Sequence, residues 1–286
     1  MPYETILYEK INRVGVVTLN RPGRLNAVNN TMLDELDDVL RVSETDIDVK
    51  VLLIKGAGRS FCSGADLSGG QSSELLFIEQ GDLSAKEQMD TVTRWNMRWE
   101  ALFNYIKPTV AQVHGHCLGA GCYIAMVCDI TVASEDAVFG DPSIRLGQVT
   151  SSPLWSWMVG IKKAKEMTML GRCITGKEAE QIGLANKAVP ADKLEEETAK
   201  YVKALSISPG DGMVVCKESI NAALEARGVG AAWRFMSEMH TISAFQQRHL
   251  GFNKGEYNFW KTRDRKGLKA AIRERDDRFK KFIESP

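Results

Sequence analysis

KPTVAQVHGHCLGAGCYIAMVCDITVASEDAVFGDPS, residues 107 to 143, runs a β-type segment into a small-residue turn, an apolar helix and a second β-type segment. The first segment is Thr109 to Val113. The turn is Gly119-Ala120-Gly121, the helix Cys122 to Val127, and the second segment Ile130 to Ala133. A strand that feeds such a turn into a helix leaves the backbone N–H groups of the first helical turn without intrahelical partners. Those groups and the helix dipole favour negative charge beside them, and glycine or alanine there lets a ligand reach the main chain. Two readings stay open on this stretch: an anion-accepting site, or a tight strand-to-helix turn and nothing more.

Upstream, strand and helix signals alternate. Ile6 to Lys10 and Val14 to Leu19 read as two strands with a tight turn between them, and Pro22-Gly23-Arg24 as a loop. Asn30 is placed to cap a helix over Thr31 to Val42, with Met32, Leu33, Leu36, Val39 and Leu40 on its apolar face. Val49 to Lys55 is a continuous apolar run, the pattern of a strand covered on both faces. GAGRSFCSGADLSGG, residues 56 to 70, is a glycine-rich loop with a second candidate backbone donor near Gly64-Ala65-Asp66. Residues 71 to 106 begin polar, as a candidate lid. They become helical with Trp95, Trp99, Leu102 and Phe103 at helical spacing, which reads as packing.

Downstream of Ser143 the pattern is nearly all helical. Short helices are expected over Pro153 to Val159 and Lys162 to Leu170, then a helix and short strand within 176 to 189. Longer helices follow over Asp192 to Ser206, Pro209 to Ala226 and Ala231 to Leu250. Residues 251 to 262 read as a loop, and Asp264 to Glu284 as one charged amphipathic helix. No internal repeat of 20 to 50 residues and no low-complexity linker interrupts the chain.

Composition narrows the class. A chain of 286 residues buries a large core, and 44% apolar with 26% charged residues is ordinary globular usage. The 37 basic residues balance 37 acidic ones with no basic block, which argues against nucleic acid as a partner. No apolar run is long enough for a bilayer, and MPYETILYEKINR lacks the apolar centre of a signal peptide, so the expected compartment is the cytoplasm. Cys62, Cys117, Cys122, Cys128, Cys173 and Cys216 make no CxxC pair and no zinc-type spacing, so structural thiols and no metal site are expected.

Read together, Arg24-Leu25-Asn26-Ala27, Ser60-Phe61-Cys62-Ser63-Gly64-Ala65-Asp66-Leu67, the 107 to 143 stretch, GRCITGKEAEQIGLANKAVP (171 to 190) and Thr262-Arg263-Asp264-Arg265-Lys266-Gly267 resemble the crotonase superfamily, also called enoyl-CoA hydratase/isomerase. The resemblance spans nearly the whole chain in the family's order. It implies an α/β fold: a crotonase-like spiral of ββα repeats over residues 1–200, then a helical trimerisation region over 201–286. It implies homotrimers or homohexamers. It also implies an acyl-CoA substrate for an acyl-CoA lyase or isomerase, with coenzyme A as part of the substrate and no separate cofactor. By residue-by-residue matching the oxyanion hole falls on the N–H groups of Ala65 and Ala120, and CoA binding on Arg24, Ala27, Ala65, Asp66 and Leu67.

The departures carry as much information. Where the family's hydratases place two catalytic glutamates, this chain has Tyr123 and Ser143; where other branches place an aspartate, it has Thr150 and Ser151. A phenol, with an ordinary pKa near 10, is no ready base at neutral pH. Asp141, two residues before Ser143, is then the leading candidate for a general base if the segment is extended. The competing reading has it capping the Pro142 turn or pairing with Arg145. Tyr123 is a candidate donor to substrate or a space-filling aromatic. His116, beside His114 at the strand end, is a candidate substrate contact or a structural histidine. Trp155 and Trp157 suggest a bulky-walled acyl pocket, and Glu79, Asp82 and Asp90 are candidate carboxylates from the lid. Two alternatives remain: a hydrolase cleaving a C–C bond in a β-dicarbonyl, which Asp141, His116 and the Trp pair would suit, and a CoA-binding homologue with little catalysis.

Overall fold

The computed structural model describes residues 2–68, 84–249 and 257–283, with backbone alone over 244–249. Its main sheet has six strands in the order β1-β2-β3-β4-β6-β9. These are β1 (Ile6–Ile11), β2 (Val14–Leu19), β3 (Val51–Gly56), β4 (Thr109–Val113), β6 (Ile130–Ser134) and β9 (Lys187–Val189). Only the β1–β2 hairpin is antiparallel; every other neighbour in this sheet is parallel. A second sheet of three short strands follows the order β5 (His116–Leu118), β7 (Val138–Gly140), β8 (Ile174–Thr175).

The two sheets are filled alternately, which makes the spiral. β4 enters the first sheet and β5 the second, and helix α3 (Ala120–Val127) follows. Then β6 enters the first and β7 the second. One layer earlier the chain does the same with single bridges: Cys62 pairs with Cys117, and Val28 with Ala65. Gly115, at φ +55°, makes the step from β4 to β5, and a Cβ there would sit 2.2 Å from the Arg59 carbonyl oxygen.

Both faces of the main sheet are covered, which explains its unbroken apolar strands. Val14, Val16, Val51 and Val110 point one way and pack under Val202 of α6 (Leu194–Ile207). Val17, Leu19, Leu52, Ile54 and Val113 point the other way into the main core, with Met32, Leu33 and Leu36 of α1 (Asn30–Thr45) and Trp99 of α2 (Ala85–Phe103). The expected division at residue 200 falls inside α6, whose sheet contacts run past it, so the sheet-covering part extends to the end of that helix.

Three local expectations change and two hold. The cap of α1 is Asn29, whose side chain accepts from the Met32 amide at 3.1 Å, and Asn30 is already helical. The two short helices expected over 153 to 170 are present, as the halves of α4 (Trp155–Leu170) on either side of a break at Gly160, φ +75°. α5 (Gly176–Gln181) opens with a capping box from Thr175 and Glu178. The charged C-terminal helix is split by Gly267, φ +84°, into α9 (Phe259–Lys266) and α10 (Leu268–Asp277). Phe259 and Trp260, expected in a loop, are buried in α9, because Asn258 caps that helix and the two rings meet edge to face at 5.1 Å. Between α6 and α9 lie α7 (Gly210–Ala226) and α8 (Val229–His249), and α8 packs along α2. No helix among the described residues is long and apolar enough to cross a membrane.

Candidate active site

A cleft of about 820 Å³, counting its open mouth, lies between the 63–67 loop, the start of α3, the turn after β7, α2, α8 and α10. Its floor is main chain. In the Val28–Ala65 bridge the Val28 amide donates to the Gly64 carbonyl and the Asp66 amide to the Val28 carbonyl, so the Ala65 N–H is turned to the other side. Ala120 is the first residue of α3, where an amide has no intrahelical acceptor. The amide before it, Gly119, is held by the Gly140 carbonyl at 2.9 Å. Among the described residues neither Ala65 nor Ala120 donates its N–H to the protein. The two loops touch: a Cβ on Gly64 would lie 3.9 Å from the Ala120 nitrogen. Gly119 makes the turn at φ +49°, and Gly121 lets α3 sit on Cys62, where a Cβ would meet the Cys62 carbonyl oxygen at 2.4 Å.

The 63–67 loop is braced by charge. Asp66 is buried and pairs with Arg21 at 2.9 Å, while its other oxygen accepts from the Ser68 hydroxyl and amide. Burial pushes its carboxyl pKa up, but the Ser68 bonds and the Arg21 charge outweigh that and hold it below the ordinary value. Asn26, left-handed at φ +54°, joins its own loop to the one after β3: its amide donates to the Ala57 and Ser60 carbonyls and its oxygen accepts from the Arg21 amide. Of the residues matched to CoA binding, Ala65 and Leu67 line the cleft. Arg24 is exposed, Ala27 is buried with its carbonyl held by Arg21, and the Asp66 side chain is spent on the loop.

The side-chain wall differs from expectation at Asp141. That carboxylate is buried and does not line the cleft. The chain after it coils into a 3-10 turn over Pro142–Leu146, so residues 141 and 143 do not point the same way. One Asp141 oxygen caps that turn, accepting from the Ser143 amide at 3.1 Å and from the Ser143 hydroxyl; the other accepts from the Tyr123 hydroxyl at 2.5 Å. With both oxygens held by protein donors, Asp141 does not stand free to meet a substrate as a base. Arg145 is not its partner either, pairing with Asp276 and lying over the Phe279 ring.

Tyr123 does line the cleft. Its hydroxyl donates to Asp141, receives the Ser151 amide at 3.3 Å, and lies 3.0 Å from the Thr150 hydroxyl. Burial first, and then the Asp141 charge, raise its pKa well above 10, so the phenol stays protonated. His116 lies on β5 two residues short of Leu118, roughly 6.6 Å further from the turn, and it is exposed and outside the cleft. His114 lies 2.9 Å from the Gly58 carbonyl. Trp155 is buried in the core and Trp157 is half-buried, and neither forms the pocket wall. Asp90 is on the outside of α2, paired with Lys86 at 2.9 Å. Glu79, Asp82 and residues 71–83 of the candidate lid lie outside the described residues.

Three cleft residues come from helices to which the sequence reading assigned no part of the site: Trp95 of α2, His240 of α8 and Arg275 of α10. His240 carries a legible signal: it lies on the face of α8 that holds Trp233, Ser237 and Thr241, all buried. Its Nδ1 is 2.7 Å from the Val149 carbonyl. A carbonyl only accepts, so Nδ1 carries the proton and the neutral ring keeps its lone pair on Nε2. The Val149 amide in turn donates to Ser243 at 3.2 Å, so α8 holds both polar groups of that residue. Among the described residues no three His, Cys, Asp or Glu side chains are grouped to hold a metal ion.

The comparisons fit this geometry. The family model for enoyl-CoA hydratase/isomerase matches residues 9–266. A Rhizobium meliloti protein named "Probable enoyl-CoA hydratase" is 35% identical over 228 residues, 79% of this chain and 84% of its own. The mitochondrial enoyl-CoA hydratase of Pongo abelii is 32% identical over 229 residues, 78% of this chain and 75% of its own. A solved enoyl-CoA hydratase/isomerase from Xanthobacter autotrophicus Py2 superposes with a TM-score of 0.86 at 32% identity, covering 97% of this chain and 99% of that one. With the spiral, the main-chain floor and the family model in agreement, the chain belongs to the enoyl-CoA hydratase/isomerase family.

Proposed function

We propose that the protein is an acyl-CoA lyase or isomerase that works through an enolate of the thioester, held by the amides of Ala65 and Ala120. The observation that carries this reading is the pair of undonated main-chain N–H groups at the floor of one cleft. As negative charge builds on the thioester oxygen, two preorganised donors and the positive end of α3 lower its energy, and one such donor is typically worth about 10²–10³ in rate. The CoA arm would run past Leu67, with recognition by main chain. The family's usual glutamate positions carry Tyr123 and Ser143, so the acid and base work falls to other groups. Asp141 then acts as a positioning residue that fixes the Tyr123 and Ser143 hydroxyls at the cleft wall. The C–C hydrolase alternative drew on Asp141, His116 and the Trp pair, and none of these lines the cleft.

The decisive experiment is Ala120→Pro. Proline is tolerated at the first position of a helix but has no N–H. The expected result is an unchanged melting temperature with turnover of enoyl-CoA substrates reduced about 10²–10³-fold. Full activity in that variant overturns the reading. Thermal stabilisation by acyl-CoA with no turnover across a panel of enoyl and cyclic β-keto thioesters would assign the protein to CoA binding instead.

A further inference from the structure

We infer that His240 is the proton-transferring base of this cleft, acting through Nε2 on the α-carbon of the bound acyl thioester. The inference rests on the acyl-CoA reading and adds the group that reading lacks.

Four observations carry it. His240 lines the same cleft as Ala65, Ala120 and Tyr123. The Val149 carbonyl fixes its Nδ1–H, which sets the tautomer and orients the ring, the arrangement a catalytic imidazole needs. Nε2 has no protein partner among the described residues. The other ionisable groups at the cleft wall are unsuited: Asp141 is saturated by protein donors, Tyr123 holds its proton, and Arg275 is always protonated and tied to Asp276 by two bonds.

Among the described residues the charged surroundings of His240 are few. Asp141, behind Tyr123, favours the imidazolium, and Arg275 across the cleft disfavours it. α2 presents Val92 and Trp95, the 148–151 loop carries no charge, and Glu238 on α8 itself is exposed. Burial is the largest influence and lowers the imidazole pKa from its ordinary value, with the Val149 bond and Asp141 opposing, so the ring is neutral at pH 7.

The step balances without any co-reactant. The Nε2 lone pair takes the Cα proton, and the C–H pair moves into the carbonyl to give an enolate oxygen on the two amides. The imidazolium then returns the proton to Cα, or, in a β,γ-unsaturated acyl group, to Cγ, so that the double bond migrates and the neutral ring is regenerated.

The test is deuterium uptake at the acyl carbons of saturated and β,γ-unsaturated acyl-CoAs in D₂O, read by mass spectrometry, alongside the pH dependence of turnover. His240→Asn is the informative variant, because its amide keeps a donor where Nδ1 stood while Nε2 is lost. The expected result is uptake reduced about 10²–10⁴-fold with acyl-CoA binding and melting temperature kept. A histidine that only clamps Val149 would leave uptake within a few-fold of wild type in this variant, and that outcome overturns the assignment. The wild-type profile is a second readout that needs no variant: turnover falls as pH drops through the imidazole range. Turnover that stays flat as pH falls below the ordinary imidazole value of about 6.5, down to the acid limit of the folded protein, overturns the assignment as well. Wild-type protein that neither binds nor exchanges any acyl-CoA defeats the acyl-CoA reading itself, whereas exchange that survives His240→Asn defeats His240 alone.

Discussion

Tyr123 shows how one buried hydroxyl is held at a cleft wall. Its hydroxyl sits between Asp141, Thr150 and the Ser151 amide, and its ring packs edge-on to Trp99 at 6.4 Å. Tyr123→Phe keeps the ring and strands the Asp141 oxygen and the Ser151 amide. The expected cost is about 1–3 kcal/mol of stability, measured by urea unfolding. The phenol's raised pKa has a sign that follows. Its contribution is present below the unfolded value near 10 and is lost as pH climbs from there toward the folded value. Wild type should therefore lose stability above pH 10 more steeply than Tyr123→Phe. Asp141→Asn tests the positioning role: the Ser143 amide keeps its acceptor, but Tyr123 loses its charged partner. Turnover should fall while CoA binding is retained. The sequence placed Asp141 beside the site and left its direction open between an extended segment and a cap on the Pro142 turn; the 3-10 turn over Pro142–Leu146, which Asp141 caps, decides for the second.

At the scale of elements, the approach of α3 to the 60–66 segment sets the spacing of the two amides. Gly121 permits it. Gly121→Ala forces a methyl into the Cys62 carbonyl, and overpacking of this kind typically costs about 1–3 kcal/mol. The expected outcome is a lower melting temperature together with reduced turnover, since the helix start must back away from Ala65. The strands and this turn were legible because they are local: an apolar run, a glycine pair, a short helix. The helical half was less so. Asn29 and Asn30 are equally good caps on paper, and only the Met32 bond selects the first. The single C-terminal helix became two because a glycine within a charged periodic run carries no sign of its φ. His240 escaped notice because a lone histidine on an apolar helix face is usually core, and its cleft wall comes from residues 90 positions earlier.

For the whole molecule two predictions hold. α7 buries none of its residues, and Val215, Ile220, Phe235 and Ile242 leave large apolar groups exposed on α7 and α8. A homotrimer or homohexamer would cover them. Light scattering on the purified protein should give three or six chains, and Val215→Asp with Ile220→Asp should lower that number; a monomeric wild type refutes it. The buried thiols predict alkaline behaviour. Burial pushes Cys62 and Cys128 up to about 12 and Cys173 to about 11, against 9 unfolded. Their contribution is intact below pH 9 and declines from there toward 11 to 12, by about 1.4 kcal/mol per pH unit for each thiol. Melting temperature should hold to pH 9 and drop beyond it.

The grip of α8 on both polar groups of Val149 has a consequence for how the protein is made. Every residue of the main-chain floor lies within the first 140, but Val149 has neither of its α8 partners until residue 243 has emerged. A nascent chain passes through a long interval in which the wall bearing Thr150 and Ser151 lacks its α8 clamp. A premature stop ahead of α8 leaves it there permanently, as a client for chaperones and proteases.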